Sequence, residues 1–347
     1  MSDQQDVKGF SEESLIHWLE QHGIPSYRAG QILRWIYHKG VYSFSEMTDL
    51  SKDLRGFLSE RLVIGRLEVE QVQTSEDGSR KYLFRMQDGQ HVESVLTPEP
   101  GHWTLCISTQ VGCGMGCAFC LTGRGGFVRN LEPEEIVGQV CTVRDDLPGE
   151  TPLTNVVFMG MGEPLANYQN VVQAIGTILG NNGLQFSNRR VTLSTAGLPP
   201  RMDDLGRDVR VNLAVSLNAA DDDTRSRLMP VNRTYPIEEL LSACRRFPLP
   251  ARRTIMFEYV LIAGVNDAPE DAARIAKLLR PLRAKINLIP FNPFDGTEFK
   301  RPDERVISAF QEVLMSRHYT VVIRHSKGTD ICAACGQLSP RSLNAKA

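Results

Sequence analysis

The sequence Gln110-Val-Gly-Cys-Gly-Met-Gly-Cys-Ala-Phe-Cys120 places three cysteines, Cys113, Cys117 and Cys120, within eight residues. Three thiolates separated by small residues fit one corner of an iron–sulfur cluster, because the chain curls tightly enough to direct each sulfur at a different iron. The fourth iron then has no protein ligand and can bind and activate a small molecule. The stretch therefore predicts a catalytic iron–sulfur site. A structural zinc site or buried thiols are the alternatives, but zinc prefers four protein ligands and no second cluster follows at zinc-finger spacing.

The x3-then-x2 spacing of these cysteines resembles the signature of the radical S-adenosylmethionine (SAM) superfamily. The resemblance implies a 4Fe-4S cluster held by Cys113, Cys117 and Cys120, with SAM as the second cofactor. In that superfamily the amino and carboxylate groups of SAM complete the coordination of the open iron.

The composition is that of an ordinary soluble globular protein, with 347 residues of which 41% are hydrophobic and 23% charged. The polar N-terminal sequence has no signal-peptide core, and no stretch reads as a membrane span. We therefore expect a cytoplasmic protein with no membrane partner. In that reducing compartment the cysteines are metal ligands, catalytic thiols or core residues, and Cys141 and Cys244 are predicted in the core. The net charge of −2 gives no global argument for nucleic-acid binding.

Strand and helix patterns alternate from about residue 103 to residue 325. The alternation indicates βα units and a parallel sheet. The predicted fold class is α/β, with a partial TIM-type (β/α)6 radical SAM barrel over residues 99–326. The predicted strands are Trp103–Ser108, Asn155–Met159, Val191–Ser194, Val211–Leu217, Thr254–Leu261, Ile286–Ile289 and Thr320–Ile323.

Three further segments flank the predicted barrel. Residues 1–62 have helical spacing, interrupted at Pro25, and are predicted to form an accessory domain. Residues 63–98 are predicted to form a β-hairpin linker, because alternating residues flank Asp88-Gly89. On the second strand of this hairpin Glu93 lies beside apolar neighbours. Residues 327–347 form the predicted C-terminal tail.

The accessory domain carries a basic and aromatic mixture that includes Arg28, Arg34, Trp35, Tyr37 and Lys39. Such side chains contact RNA through stacking and phosphate binding. The alternative is a core Trp and Tyr with solvated charges, and the residues alone favour this alternative.

Several polar residues follow predicted strands, and the carboxyl ends of parallel strands share one rim. At this rim Gly162 and Glu163 are predicted to bind SAM. A glycine lets the backbone approach a ligand closely, and a carboxylate binds an ammonium group through charge-assisted hydrogen bonds. A ribose or carboxylate contact is predicted for Ser194, Ser216 and Asn218, and an adenine contact for Asn292. Leu217, in the same Ser-Leu-Asn segment, is also predicted to bind SAM. For each of these residues alone, a capped loop or turn is the simpler interpretation.

The C-terminal sequence Thr329-Asp-Ile-Cys332-Ala-Ala-Cys335-Gly-Gln-Leu contains a Cys-x-x-Cys pair, which by itself suggests a redox pair or half a zinc site. Together with Cys106-Ile-Ser-Thr-Gln-Val-Gly-Cys113, however, it resembles the RlmN family over nearly the whole chain. The matching motifs are Val92-Glu93-Ser94-Val95, Thr104-Leu-Cys106, Gln110-Val-Gly-Cys113, Gly126-Phe127, Arg129-Asn130-Leu131, Gly160-Met-Gly-Glu163-Pro-Leu, Val191-Thr-Leu-Ser194-Thr, Ser216-Leu-Asn218, Ile289-Pro-Phe-Asn292-Pro and Ala333-Ala-Cys335-Gly-Gln-Leu.

The resemblance implies methylation of carbon 2 of an adenosine in the peptidyl-transferase region of 23S rRNA, and also of an adenosine next to the anticodon in tRNA. A Cfr-like enzyme that methylates carbon 8 is the nearest alternative, since it shares every cysteine role. A non-catalytic iron–sulfur RNA-binding protein is a third reading, in which Cys106 and Cys335 have no use. The expected partners are 23S rRNA, tRNA and an electron donor such as flavodoxin, and a monomer is the default.

The resemblance also implies roles for individual residues. Cys335 takes a methyl group from one SAM and becomes S-methylcysteine, from which a 5′-deoxyadenosyl radical made from a second SAM removes hydrogen. The resulting methylene radical adds to carbon 2 of the adenine. Glu93 is the implied proton acceptor, and Cys106 releases the product by forming a transient Cys106–Cys335 disulfide. Cys332 departs from the family pattern and adds a competing thiol.

Overall fold

The computed structural model of the protein describes residues 4–339. Residues 1–3 of the predicted accessory domain and residues 340–347 of the predicted tail lie outside this range. The strands are β1 (Gln5–Asp6), β2 (Leu62–Val63), β3 (Glu68–Thr74), β4 (Arg80–Arg85), β5 (His91–Glu99), β6 (His102–Cys106), β7 (Gln110–Gly112), β8 (Phe127–Asn130), β9 (Leu153–Phe158), β10 (Val191–Thr195), β11 (Asn212–Ser216), β12 (Ile255–Leu261), β13 (Ala284–Pro290) and β14 (Thr320–Ile323). The α-helices are α1 (Glu12–Gln21), α2 (Tyr27–Lys39), α3 (Lys52–Arg61), α4 (Leu121–Arg124), α5 (Pro133–Asp145), α6 (Tyr168–Leu179), α7 (Pro199–Asp208), α8 (Asp222–Leu228), α9 (Ile237–Arg246), α10 (Pro269–Leu279) and α11 (Glu304–Met315).

A ten-stranded sheet in the order β14-β13-β12-β11-β10-β9-β6-β5-β4-β3 organises the molecule. Strand β6 and strands β9 to β14 pair in parallel, and at least one helix lies in each connection between them. Parallel strands need such crossovers because a tight hairpin reverses the chain direction. The parallel part is thus six βα units closed by β14, which confirms the predicted (β/α)6 arrangement.

The predicted hairpin around Asp88-Gly89 is present, with β4 antiparallel to β5. It is larger than the sequence suggested, because β3 adds a third strand and β5 pairs with β6 of the barrel. We call strands β3 to β5 the meander. The meander continues the barrel sheet, so the boundary predicted between a linker and a barrel remains a prediction, as do the other domain boundaries.

The cysteine-rich segment has a second hairpin that the sequence pattern did not predict. Strands β7 and β8 pair antiparallel and flank the loop of Cys113 to Cys120. At Gly112 the backbone has φ +74°, and an added Cβ would lie 1.9 Å from the Gly126 carbonyl oxygen. Only glycine fits so close an approach, and the hairpin therefore turns the cysteine loop back on itself.

The N-terminal helices form as the sequence predicts. Ser11 caps α1 by accepting a hydrogen bond from the Ser14 backbone N–H, and Pro25 lies between α1 and α2. Leu15, Leu19 and Ile32 are buried in the main core, where Cys141 and Cys244 also lie as predicted. None of the described helices has the length and apolar character needed to cross a membrane.

Some aromatic and basic residues of α2 fit the RNA-binding interpretation, and others fit the alternative that they belong to the core. Tyr37 is buried, and Trp35 is half-buried with its Nε1 donating to Asp49. Tyr27 is exposed, and the Lys39 ammonium lies 3.3 Å from the centre of the Trp35 ring. The helix thus contributes both to the core and to a basic, aromatic surface.

Candidate active site

A cavity opens at the carboxyl ends of the seven parallel strands. The cysteine loop forms one wall and the C-terminal tail another. The predicted site residues that line this cavity are Cys106, Cys113, Cys117, Cys120, Gly162, Glu163, Ser194, Ser216, Asn292 and Cys335. Glu93, Leu217 and Asn218 are not among the lining residues.

The cysteine loop presents three sulfur donors in an apolar setting. Met115, Cys117 and Phe119 pack against a small core cluster that includes Met229 and Phe291. Thiolates are soft ligands suited to iron–sulfur clusters, so the donor set and its dry surroundings fit such a group. Residues 4–339 contain no group of three or more His, Cys, Asp or Glu side chains arranged to hold a metal ion. In a four-iron cluster each cysteine binds a different iron, and the ligands need not converge on one point.

Glu163 is the second part of the site that fits a cofactor. Its carboxylate is 3% exposed and accepts hydrogen bonds from the backbone N–H groups of Leu165 at 3.0 Å and Ala196 at 2.7 Å. Burial raises the pKa of Glu163, although these hydrogen bonds oppose the rise. Within residues 4–339 no cationic side chain pairs with it. A buried carboxylate without a counter-charge is costly, and the ammonium group of SAM would supply one.

Gly160 and Gly162 are also required by packing within the protein. An added Cβ at Gly160 would lie 2.7 Å from the Ile107 carbonyl oxygen, and at Gly162 it would lie 2.6 Å from the Gln110 Cβ. Both glycines therefore allow the loop after β9 to pack against the chain that follows β6. Both also line the cavity, and the contact of Gly162 with SAM remains a prediction.

Ser194 and Ser216 line the cavity, and each forms a hydrogen bond with a residue that the sequence pattern did not identify. Their contacts with SAM remain a prediction. The Ser194 hydroxyl donates to Glu258 at 2.6 Å. The Ser216 carbonyl accepts from the guanidinium of Arg225 at 3.2 Å. The sequence feature that could have identified Glu258 is its position as the single carboxylate in the otherwise apolar strand Ile255–Leu261.

Arg225 on α8 is fully buried and joins the ends of two strands. Its guanidinium donates to the carbonyls of Ala196 at 2.7 Å and Leu217 at 3.1 Å, as well as to Ser216. Burial lowers the pKa of Arg225 to about 10, so the side chain keeps its charge at neutral pH. In the sequence Arg225 looked like one of many surface charges on a polar helix, and no local pattern distinguished it.

The side chains of Leu217 and Asn218 are used inside the protein. Leu217 is a core residue, and the Asn218 Oδ1 accepts from the Val260 N–H at 2.8 Å. Asn218 has φ +56°, a conformation that asparagine tolerates better than most residues. Contacts of these two residues with SAM remain a prediction.

Asn292 lies between the cavity and the tail. Its Nδ2 donates to the Cys335 carbonyl at 3.1 Å, and its Oδ1 accepts from the Ser326 hydroxyl at 2.5 Å. The residue predicted to contact adenine is thus also a contact for the segment that carries Cys335.

The two thiols predicted to act outside the cluster share the cavity. Cys335 faces its open space, and the surrounding protein raises the pKa of the Cys335 thiol to about 12. Burial likewise raises the pKa of Cys106 to about 11. The Arg324 guanidinium lowers the pKa of both thiols, whereas the Glu258 carboxylate raises it. Cys332, the competing thiol, is exposed and does not line the cavity.

Glu93 is buried beneath the tail. Its carboxylate, 2% exposed, lies 3.2 Å from the Lys81 ammonium and accepts from the Ser339 backbone N–H at 2.7 Å. Burial raises the pKa of Glu93, and Lys81 opposes that rise. The structure thus places Glu93 next to the tail rather than in the cavity wall.

An α/β fold with three loop cysteines at the carboxyl ends of its strands, beside a buried carboxylate, defines a radical SAM enzyme. The family model described as the radical SAM superfamily matches residues 107–278. A second model, the ribosomal RNA large subunit methyltransferase N-terminal domain, matches residues 5–64. The crystal structure of a radical SAM methyltransferase from Sphaerobacter thermophilus superposes with a TM-score of 0.90 at 44% identity, covering 96% of this chain and 99% of that one.

Individual relatives identify the family to which this chain belongs within the radical SAM enzymes. The dual-specificity RNA methyltransferase RlmN of Desulfosudis oleivorans is 56% identical, with 96% of this chain and 91% of that protein covered. RlmN of Geobacter sulfurreducens is 55% identical over the same shares of the two chains. The chain belongs to the RlmN family, and its cofactors are a 4Fe-4S cluster and SAM.

Proposed function

We propose that this protein methylates carbon 2 of an adenosine in 23S rRNA, and also an adenosine next to the anticodon of tRNA. The observation that carries the proposal is one cavity that brings together the cysteine loop, Glu163 and the two further thiols, Cys106 and Cys335. Relatives named dual-specificity RNA methyltransferase support RNA as the substrate.

Carbon 2 of adenine is electron-poor and has no acidic proton, so direct nucleophilic attack on a SAM methyl group is not available there. When bound, the cluster and SAM would supply a carbon-centred radical by one-electron reduction. In this chain Cys113, Cys117 and Cys120 would hold the cluster, and Glu163 would hold the ammonium group of SAM.

Cys335 acts in this proposal as the covalent methyl carrier. Its thiolate forms a bond to the methyl carbon as the sulfonium bond of SAM breaks. Because the pKa of this thiol is raised to about 12, few molecules carry the thiolate at neutral pH. Arg324, which lines the same cavity and lowers that pKa, favours the charged form.

Cys106 and Glu93 complete the transfer. Once the methylene group on Cys335 is bonded to carbon 2, Glu93 accepts the proton that leaves this carbon, and the unpaired electron of the adduct returns to the oxidised one-electron donor. The Cys106 thiolate then attacks the sulfur of Cys335. The S–S bond forms as the bond between that sulfur and the methylene carbon breaks, and this carbon takes up a proton, which frees the methylated base. Two electrons from a donor such as flavodoxin then return both cysteines to thiols. Glu93 meets the substrate only after the tail segment at Ser339 leaves its carboxylate.

The remaining expectations belong to the same proposal. Residues 1–62 contact RNA, supported by the match of residues 5–64 to an N-terminal domain of rRNA methyltransferases and by the exposed Tyr27 and Lys39. The protein acts as a cytoplasmic monomer.

Isotope labelling tests the proposal. Cluster-loaded protein is given SAM with a fully deuterated methyl group, a reductant and an unmodified rRNA fragment under anaerobic conditions, and the nucleosides are identified by mass spectrometry. We expect 2-methyladenosine that keeps two of the three deuteriums. A carbon-8 product would instead indicate a Cfr-like enzyme, and RNA binding without methylation would favour a non-catalytic protein.

A further inference from the structure

The tail that carries Cys335 is held by a turn of the meander, outside the cavity. We call residues 75–79, between β3 and β4, the docking turn. The backbone N–H of Gly328 donates to Asp77 Oδ2 at 2.8 Å. Asp330 accepts from the Ser75 hydroxyl at 2.6 Å and from the Glu76 N–H at 3.1 Å. Asp77 of the docking turn thus accepts a hydrogen bond from the tail, and Asp330 of the tail accepts hydrogen bonds from the docking turn.

A second turn in the same meander provides a comparison for the Asp77 contact. Asp77 and Asp88 each precede a glycine, and each uses Oδ1 to accept a backbone N–H of its own turn, from Ser79 at 2.8 Å and from Gln90 at 3.0 Å. The second oxygen of Asp88 pairs with Arg129, whereas that of Asp77 accepts from the tail. The two turns therefore share the hydrogen bond to Oδ1 and differ in the partner of the second carboxylate oxygen.

The docked segment has little room to shift. Gly328 has φ +65°, and an added Cβ would lie 2.8 Å from the Ala333 Cβ. The Ala333 N–H donates to the Gly328 carbonyl at 2.8 Å, which closes a compact loop just before Cys335. The position of Gly328 is therefore linked by one hydrogen bond to Ala333, two residues before Cys335.

The other end of the tail is fixed separately. The Leu121 N–H of α4 donates to the Gly336 carbonyl at 2.7 Å, and the Thr122 hydroxyl donates to the Leu338 carbonyl at 2.6 Å. Cys335 thus lies between an attachment to the docking turn and one to the helix that follows the cysteine loop, and its own carbonyl also accepts from Asn292.

We propose that Asp77 and Asp330 are positioning residues, which dock the tail on the meander and so hold Cys335 in the cavity for methyl transfer. The proposal rests on the proposed function of Cys335 as methyl carrier. Both carboxylates suit this role, because hydrogen bonds from Ser75 and the Glu76 N–H lower the pKa of Asp330. Burial acts against ionisation of Asp77, but the N–H groups of Ser79 and Gly328 outweigh it and lower its pKa.

Hydrogen–deuterium exchange of the cluster-loaded protein, without RNA, tests the docking. In Asp77→Ala and in Asp330→Ala we expect amides of residues 328–336 to exchange about tenfold faster. Asp88→Ala, the matched turn variant, leaves their exchange unchanged. Ser75→Ala, which keeps both carboxylates, should loosen the same peptide if Asp77→Ala fails to fold. Exchange equal to that of the wild type in all docking variants would overturn the proposal.

Steady-state methylation tests the positioning. We expect kcat to fall about tenfold in Asp77→Ala and Asp330→Ala because Cys335 is displaced, while KM for RNA stays unchanged. A loosened tail with wild-type kcat would overturn the positioning role. If the wild-type protein methylates no RNA, the proposed function fails, and the exchange experiment still decides whether the turn docks the tail.

Discussion

Glu93 and Lys81 show how a single buried ion pair sets the chemistry of a carboxylate. The Lys81 ammonium lies 3.2 Å from Glu93 Oε1, and both side chains are nearly excluded from water. Burial raises the pKa of Glu93 because it disfavours the charged form, and the nearby cation offsets part of this effect. A proton acceptor must be ionised, so a raised pKa makes the group active only at higher pH.

Replacing Lys81 with methionine removes the cation and lets the pKa of Glu93 rise further. We expect the acidic limb of the profile of kcat against pH to move upward by about one pH unit. Methylation rates measured from acidic to neutral pH check this. Lys8→Met is the control, since Lys8 is also buried but donates to the Gly65 carbonyl outside the cavity. If the acidic limb of the Lys81→Met profile stays at its wild-type pH, Lys81 does not set the pKa of Glu93.

Glu163 is the residue whose loss should affect SAM most directly. In Glu163→Gln the charge that would face the ammonium is gone, and we expect SAM to bind the cluster-loaded protein at least about tenfold more weakly. Equilibrium binding of SAM measures the effect. Glu134→Gln is the control, because burial raises the pKa of Glu134 as well, to about 7, but this carboxylate is only part-buried and lies outside the cavity. Equal SAM affinity in the two variants would contradict the assignment.

The strand ends around the cavity depend on α8, an element that contributes no predicted site residue. Arg225 from this helix donates to carbonyls at the ends of β10 and β11, so one side chain holds the two loops that border the cavity. Carbonyls deprived of these donors would be buried and unsatisfied, which costs free energy.

Lysine cannot replace the guanidinium here because it has fewer donors and no planar fork. We expect Arg225→Lys to lower the free energy of unfolding by about 3 kcal/mol and to weaken SAM binding. Chemical denaturation and SAM titration measure the two effects. Arg246→Lys, at an exposed pair with Asp203, should change neither. Wild-type values for both properties in Arg225→Lys would show that the strand ends do not need this residue.

At the scale of elements, the sequence predicts what is local and misses what depends on distant contacts. The alternation of apolar segments predicts the parallel strands, and the spacing of Cys113, Cys117 and Cys120 predicts the loop that holds them. The short strands β7 and β8 have no periodicity of their own and form because Gly112 lets the chain pass close to Gly126. The role of Arg225 also could not be predicted from the sequence, since it lies on α8 and its hydrogen-bond partners lie at the ends of two strands.

The two thiols proposed to carry the methyl group and to release the product lie in different parts of the molecule. Cys106 ends β6 in the barrel, whereas Cys335 lies in the tail, and both line the cavity in which, on this proposal, the adenine is joined to Cys335. The proposal assigns release of the base to a barrel thiol, because Cys332, the neighbouring thiol in the tail, does not line the cavity.

Replacing Cys106 with alanine should therefore stop the reaction after the RNA is bound to protein. We expect a covalent complex that survives denaturing electrophoresis and whose digestion places the RNA adduct on Cys335. Cys106→Ala combined with Cys335→Ala is the control, since it removes the attachment point while leaving Cys113, Cys117 and Cys120 to bind the cluster. If Cys106→Ala yields only free RNA and no covalent complex, Cys106 is not the thiol that releases the product. An adduct on Cys332 would instead show that the exposed thiol of the tail reaches the cavity.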